Sequence, residues 1–228
     1  MMLVIPVITI DGPSGVGKST LCKTLGKLLK WNILHSGAIY RSLALSCIKN
    51  KINILQIERS IRYILLNFNL KFVYKNNEFA VFLDNIDVTD RINEQEISDL
   101  SSNIAKIPIV RKALLKKQYD FLKEPGLIAD GRDMGSVIFP NARAKIFLNA
   151  SLEERARRRK LQLKKKGFDV NFEKLLYQIK KRDETDCNRK ISPLLPAKDA
   201  LIINSENVPF NQVVSIALKH AKKKYSII

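Results

Sequence analysis

The 228-residue sequence lacks the long apolar segments that membrane-spanning proteins need. No apolar run approaches the ~20 residues that cross a bilayer as a helix. The first ten residues are apolar, but they lack the basic region and the small-residue cleavage site of a signal peptide. We therefore expect no membrane partner, and we interpret this opening segment as a strand.

Cysteine and histidine are also scarce. Cys22, Cys47 and Cys187 stand far apart, without the CxxC spacing of zinc or redox sites. His35 and His220 are too few for a histidine-based metal cluster. These absences disfavour a disulfide framework and much metalloenzyme chemistry, and they indicate a reducing, cytoplasmic location.

Acidic residues are outnumbered by basic ones, 22 against 40, which gives a net charge of +18. The excess lies in residues 101–228, which carry 28 basic and 13 acidic side chains. A basic chain can bind nucleic acid, a membrane surface or an anionic small substrate. Aromatic residues make up only 7% of the sequence and mostly lie in apolar periodic segments, so stacking on nucleic acid is disfavoured. We expect no nucleic-acid partner.

Short apolar runs followed by helical patterns predict the fold class. The runs cover residues 4–10, 127–130, 145–149 and 201–204, and the first is followed by a helical pattern over 21–29. This alternation is typical of a parallel sheet with crossover helices, so the sequence predicts an α/β protein.

Residues 70–87 interrupt the alternation. Two β-rich runs are joined there by Asn76 and Asn77, which predicts a hairpin with a tight turn. A hairpin does not belong between parallel strands, so we interpret residues 37–107 as an insertion of helices and strands beside the core.

A glycine-rich loop follows the first run and precedes the first helical pattern. It matches GxxxxGK[ST], whose glycines let backbone N–H groups surround phosphates at a helix N-terminus. In such a loop the lysine reaches the β- and γ-phosphates, and the hydroxyl after it can hold Mg²⁺. The motif predicts binding of ATP or GTP by Gly12, Pro13, Ser14, Gly15, Val16, Gly17, Lys18, Ser19 and Thr20.

The phosphate loop alone does not indicate which molecule accepts the γ-phosphoryl group. Transfer to water would make the chain an NTPase, and transfer to a small acceptor would make it a kinase. A phosphate acceptor is already nucleophilic and needs no general base, but crowded phosphates need arginines. Candidate arginines stand in residues 36–41 and in the strand-end motif at 130–133. Helical spacing predicts one helix face for Arg155, Arg158 and Arg159, and another for Arg182, Asp186 and Arg189.

The last two groups predict a flap. Ser151 and Glu154 match a capping box at a helix start, and Gly167 stands where that helix would stop. We interpret the arginine-rich helices on either side of Gly167 as a lid that excludes water on closing.

Four segments together resemble the bacterial cytidylate kinase family over nearly the whole chain. They read ITIDGPSGVGKS from residue 8, SGAIYR from residue 36, LIADGRDMG from residue 127 and RDETDCNR from residue 182. The phosphate loop is common to a vast superfamily, whereas its combination with DGRD and the paired Arg182 and Arg189 is far more specific.

The resemblance implies a single three-layer α/β/α P-loop kinase domain over residues 1–228. Its parts would be a five-stranded parallel sheet, a monophosphate-binding insertion over 37–107 and a helical lid over 153–190. The implied reaction transfers the γ-phosphoryl group of ATP to CMP or dCMP, with Mg²⁺ held by Ser19 through the nucleotide. We expect a monomer. Kinases for another monophosphate or a small metabolite, and a nucleic-acid-dependent NTPase, stay as alternatives.

The resemblance also implies the site residues. Those that contact the acceptor nucleotide would be Ser36, Tyr40, Arg41, Ser102, Arg111, Arg132, Asp133, Arg182 and Asp186. Among these, cytosine would face Ser36, Ser102, Arg111 and Asp133, while Arg41 and Arg132 grip the phosphate and Arg182 and Asp186 hold the ribose. Those that act in catalysis would be Lys18, Arg132, Arg158, Arg182 and Arg189, with Arg158 and Arg189 as charge neutralisers.

Two residues inside these segments carry no predicted chemistry. His35 stands where relatives commonly have an acidic residue, and we interpret it as a tolerated surface change. Cys187 lies within the lid motif, but we expect its thiol to be unreactive. The resemblance, aligned by eye at Arg111, implies Ser102 and not Ser101.

Overall fold

A computed structural model describes residues 5–75, 78–165 and 167–225. The chain divides into two compact units, Met1–Leu34 with Asp120–Ile228, and His35–Tyr119. The predicted insertion, residues 37–107, lies within the second unit.

A five-stranded sheet organises the first unit, and it has the predicted α/β architecture. Its strands, in the spatial order β2-β6-β1-β7-β8, are β1 Val7–Asp11, β2 Asn32–His35, β6 Leu127–Asp130, β7 Ala144–Asn149 and β8 Leu201–Asn204. Strand β1 pairs in parallel with β6 and β7, and β7 pairs in parallel with β8. Every residue of β1 and β6 is buried, as expected for parallel strands covered on both faces.

Four helices belong to the same unit: α1 Lys18–Leu29, α6 Leu152–Lys165, α7 Phe172–Cys187 and α8 Phe210–Lys224. Helix α1 packs against β6 and α8. Their shared core includes Ile8, Leu21, Leu25, Val213 and Ala217. Helices α6 and α7 pack on each other around a smaller core of their own. None of the helices in the described ranges is long and apolar enough to cross a membrane.

The second unit contains helices and an antiparallel sheet. Its elements are α2 Ser36–Lys49, α3 Ile57–Leu66, β3 Leu70–Lys75, β4 Glu78–Leu83, β5 Ile86–Asp87, α4 Gln95–Ile104 and α5 Pro108–Tyr119. Strands β3 and β4 form the predicted hairpin, and β5 adds a short third strand that the sequence pattern did not predict. The turn predicted at residues 76 and 77 lies outside the described residues.

The strand and helix around the phosphate loop are displaced from their predicted bounds. Pro6 precedes β1, and Asp11, predicted to open the loop, is the last residue of the strand. Helix α1 begins at Lys18 rather than Leu21, because Gly17 adopts φ 99° as its N-cap and lets the chain turn into the helix at once. The loop is therefore shorter than predicted and is anchored by regular structure at both ends.

The predicted capping box is only half formed. The Glu154 amide donates to Ser151 Oγ at 3.3 Å, as predicted. The reciprocal partner of Ser151 is instead Glu206, whose carboxylate accepts from both the Ser151 amide and the Ser151 hydroxyl. The Glu154 carboxylate turns to the arginines of its own helix. At the other end, Gly167 adopts φ 83° just after α6, where a helix stop was predicted.

His35 is not a surface residue, so that interpretation was wrong. It is 5% exposed, and its ring lies 4.4 Å from the Phe79 ring and 6.5 Å from the Phe72 ring, measured between centroids. The hairpin strands β3 and β4 supply these two aromatic rings. The imidazole ring of His35 therefore packs against aromatic side chains of the second unit.

Candidate active site

The phosphate loop has the backbone that its sequence predicts. Gly12 and Gly15 adopt φ 143° and 79°, in a region that side chains disfavour. A Cβ atom at Gly12 would also collide with the Leu148 carbonyl of β7. In the described chain, the N-cap of α1 carries no side-chain hydrogen bond, so the first amides of the helix are directed at the loop. This geometry suits phosphate oxygens.

Lys18 is buried among other cations. Its ammonium donates to the Pro13 carbonyl at 2.6 Å. Burial lowers the pKa of Lys18 well below its usual value, and the charges of Arg132 and Arg182 lower it further, while Asp130 opposes them. Because these three cations repel one another, a polyphosphate placed among them would be bound strongly.

Ser19 is held by a carboxylate at the end of β6. Its hydroxyl donates to Asp130 Oδ2 at 2.7 Å. A hydroxyl and a carboxylate are hard oxygen ligands of the kind Mg²⁺ prefers, so the residues present fit that ion. The phosphate-loop motif predicts the ion at Ser19 alone, whereas the position of Asp130 at the end of a buried strand was a usable signal for a second oxygen ligand.

The strand-end motif continues into Arg132, which forms a buried ion pair with α7. Its Nε donates to Asp186 Oδ2 at 2.8 Å, and the side chains are 17% and 5% exposed. Burial disfavours the charged form of Asp186, but Arg132, Arg182 and Arg189 outweigh burial and lower the pKa of this carboxyl. The phosphate-binding and ribose-binding candidates thus lie together, already paired.

Arg189 does not share a helical face with Arg182, contrary to the predicted spacing. Helix α7 ends at Cys187, where Asn188 donates its amide to the Glu184 carbonyl and closes the last turn. Arg189 follows this cap, and its Nη1 still lies 4.0 Å from Asp186 Oδ1. Arg189 is three residues from Asp186, so its guanidinium lies near that carboxylate although the helix has already ended.

The three arginines predicted on one face of α6 have different environments. Arg155 is buried, donates to the carbonyls of Ala150 and Ser14 at 3.1 and 3.2 Å, and lies 2.6 Å from Asp183 Oδ2. Arg159 donates to Gln162 on its own helix. Arg155 therefore links the phosphate loop to α7, a tertiary contact that the sequence pattern could not reveal.

Arg158 lies beside the phosphate loop. Its Nε donates to Glu154 at 2.7 Å, its Nη2 to the Ser205 carbonyl at 2.6 Å and its Nη1 to the Val16 carbonyl at 3.4 Å. The guanidinium thus stands between α6, the loop and the segment after β8. Its role as a charge neutraliser stays a prediction.

Asp133 is buried directly after Arg132, where the chain turns sharply. Its carbonyl accepts from the amides of Val137 and Ile138 and closes a π-helical turn over Met134–Ile138. The Asp133 charge also contributes to the raised pKa of Asp11. The strand-end motif therefore leads into a hydrogen-bonded turn.

The second unit contains the other predicted acceptor residues. Arg41 Nη1 donates to Asn93 Oδ1 at 2.9 Å. The Arg111 guanidinium lies 5.9 Å from the centre of the Tyr40 ring and donates to the Ala105 carbonyl at 3.3 Å. Within this unit, α2 supplies Arg41 and Tyr40 while α5 supplies Arg111.

The two neighbouring serines of α4 differ in their exposure. Ser101 is buried, and its hydroxyl donates to the Ser98 carbonyl at 2.8 Å. Ser102 is only partly buried.

On α2, the Ser36 hydroxyl donates to Gln118 Oε1 at 3.1 Å, a contact with a fully buried amide that sequence reasoning missed.

Comparisons with known proteins place this geometry in a family. The family model described as cytidylate kinase matches residues 8–223. The chain belongs to the cytidylate kinase family. It is 50% identical over 223 residues to a cytidylate kinase of Erwinia tasmaniensis, with 98% of each chain covered. It is 48% identical over 227 residues to those of Shigella sonnei and Escherichia coli K12, with both chains covered completely.

Family membership makes the chain a nucleoside monophosphate kinase that uses ATP as the phosphoryl donor. A gluconokinase from Sinorhizobium meliloti shares the fold, with a TM-score of 0.50, 12% identity and coverage of 96% of this chain and 92% of the other. At that identity the likeness concerns architecture only.

Proposed function

We propose that this cytidylate kinase family member transfers the γ-phosphoryl group of ATP to CMP or dCMP, giving CDP or dCDP. The observation that carries the proposal is the buried Arg132–Asp186 pair, because its guanidinium also lies close enough to Lys18 to lower the pKa of that lysine. The direct test is formation of ADP that depends on CMP, and absence of such turnover would refute the proposal.

The charge arrangement supports phosphoryl transfer between two phosphates. Lys18 would contact the phosphates of ATP, and Arg132 would contact the phosphate of CMP, while Arg182 adds charge near both. Since the acceptor oxyanion needs no deprotonation, the protein has only to position the two phosphates and to neutralise their repulsion. Arg158 and Arg189 are proposed to add to this neutralisation.

Mg²⁺ would be held by Ser19 and Asp130, whose oxygens already share a hydrogen bond. The ion, when bound, supplies charge that offsets the phosphate oxygens. The Ser19 hydroxyl could offer a lone pair to the ion and still donate its proton to Asp130.

Cytosine is proposed to be recognised by Ser36, Ser102, Arg111 and Asp133. Hydroxyl, guanidinium and carboxylate groups can together satisfy the exocyclic amine and the ring edge of the base, and a base with the wrong hydrogen-bonding edge would leave them unpaired. Asp186 and Arg182 are proposed to hold the ribose, and Arg41 the phosphate. Tyr40 would support Arg111 through its ring.

The remaining expectations concern organisation and partners. We propose that residues 37–107 bind the monophosphate and that residues 153–190 form the lid. The chain would act as a monomer in the cytoplasm without a nucleic-acid partner. Stimulation of ATP hydrolysis by RNA or DNA, lost at high salt, would favour the nucleic-acid-dependent NTPase instead.

A further inference from the structure

Asp11 holds a buried carboxylate that the proposed chemistry does not use. It ends β1, directly before Gly12, and is 5% exposed. Its Oδ1 accepts from the Met134 amide at 2.9 Å, and its Oδ2 accepts from the Gly135 amide at 2.8 Å. One carboxylate therefore binds two consecutive backbone amides from a segment more than a hundred residues away in sequence.

The segment that Asp11 binds is the one that presents Arg132. Before Arg132, the Gly131 amide donates to the Ile10 carbonyl of β1 at 3.0 Å. After Asp133, the amides of Met134 and Gly135 donate to the carboxylate of Asp11, the last residue of β1. Arg132 and Asp133 are thus the only two residues between two anchors on one strand, within a part of the chain that is fully described.

The return to β1 is tight. A Cβ atom placed on Gly135 would lie 2.7 Å from Thr9 Oγ1, so the backbone of this segment lies directly on the strand. Met134 and Gly135 are both buried, and their amides would lack a partner without the carboxylate. The contact therefore fixes where the turn starts and, with it, the direction of Arg132.

We propose that Asp11 is a positioning residue, whose two hydrogen bonds to the backbone of Met134 and Gly135 set the Arg132–Asp133 turn in register with the phosphate loop for the acceptor nucleotide. The inference rests on the proposed function, because it assigns Arg132 and Asp133 to CMP. Asp11 touches neither nucleotide in this account. It links the loop for ATP, which begins at the next residue, to the turn for CMP.

Asp11→Asn is the sharpest variant. The amide keeps nearly the same shape but offers one acceptor oxygen, so its NH₂ group would face a backbone N–H. Glu206→Gln is the matched control, because the Glu206 carboxylate also accepts from a backbone amide, that of Ser151, in another part of the first unit. It makes the same acid-to-amide change without touching the turn that carries Arg132.

Steady-state kinetics and ATP binding distinguish a positioning role of Asp11 from a general loss of folded structure. We expect Asp11→Asn to raise KM for CMP about tenfold, the effect of losing one hydrogen bond to a charged group, and to lower kcat. KM and calorimetric Kd for ATP should stay within about twofold of the wild-type values, and Glu206→Gln should keep the wild-type kinetics with both nucleotides. Unchanged CMP kinetics, or equal losses for ATP and CMP, would overturn the proposal.

Amide hydrogen exchange of the ligand-free protein keeps this inference distinct from the proposed function. Asp11→Asn should speed exchange at Met134 and Gly135 about tenfold, as expected for losing one such bond, while residues 18–29 exchange as in the wild type. Unchanged exchange at both amides would overturn the proposal. If the wild-type chain fails to phosphorylate CMP, the proposed function fails instead, and faster exchange would still support Asp11 as the anchor of the turn.

Discussion

Arg132 and Asp186 form an ion pair, with Arg132 Nε donating to Asp186 Oδ2 at 2.8 Å. The two residues are 54 positions apart in sequence, one just after the end of β6 and one in the last turn of α7. The pair is buried, so its guanidinium is held by a charge-assisted bond and not by solvent. The account therefore predicts that each partner affects the acceptor nucleotide and not the donor.

Arg132→Ala should reduce kcat/KM for CMP by roughly 10- to 100-fold, because charged hydrogen bonds of this kind contribute about 1.5–3 kcal/mol. Both CMP binding and turnover should suffer, since the guanidinium is proposed to contact the acceptor phosphate in the ground state and during transfer. Isothermal titration with CMP and with ATP, beside steady-state kinetics, measures the effect. A CMP affinity equal to that of the wild type would exclude a role of Arg132 in binding the acceptor phosphate.

Lys18→Ala should remove most of kcat, by roughly 100- to 1000-fold, because a preorganised charge contact in the transition state is lost. Lys27→Ala is the matched control, since Lys27 is an exposed lysine in the last turn of the same helix. The control should keep wild-type rates. A small effect at Lys18, comparable with that at Lys27, would contradict its placement among the reacting phosphates.

Ser19→Ala should raise the Mg²⁺ concentration needed for half-maximal rate by about tenfold, as expected when one oxygen ligand and its hydrogen bond to Asp130 are lost. The measurement is a Mg²⁺ titration at constant ATP and CMP. Thr24→Val is a suitable control, because the Thr24 hydroxyl donates only to the Thr20 carbonyl within α1. An unchanged Mg²⁺ dependence in Ser19→Ala would exclude Ser19 as a ligand.

Asp11 should make stability fall as pH rises towards neutrality. Burial raises the pKa of its carboxyl from 3.8 to about 7, so the folded state binds a proton more tightly than the unfolded chain. The resulting stability is present in full below pH 3.8 and is lost as pH rises to about 7. The free energy of unfolding of the wild type, relative to Asp11→Asn, should therefore fall by up to about 4 kcal/mol across this window. Urea unfolding of both proteins between pH 4 and 8 measures it, and a constant difference would contradict the shifted pKa.

Local motifs explain why much of the site could be predicted. The phosphate loop is a short pattern whose backbone conformation follows from its neighbours in sequence. The same is true of the segment after β6 that carries Arg132 and of the α7 segment that carries Asp186. The same holds for Gly167, because a glycine with positive φ ends a helix by local geometry.

Other features depend on contacts that are distant in sequence. His35 is buried because a later hairpin supplies Phe72 and Phe79, and no pattern around residue 35 indicates this. The sequence places Arg155 on a charged helical face, which predicts solvent exposure. In the structure Arg155 is buried, because it contacts Asp183 of α7 and the phosphate loop. Such tertiary partners override local charge patterns, which predict solvent exposure by default.

Substrate preference tests the central claim most directly. The kcat/KM for ADP formation should be measured with CMP, dCMP, UMP, AMP and shikimate as acceptors, under the same ATP and Mg²⁺ concentrations. We expect CMP or dCMP to be the best acceptor, because the proposed hydroxyl, guanidinium and carboxylate groups can hydrogen-bond the edge of cytosine. A tenfold advantage of UMP, AMP or shikimate over CMP would contradict it.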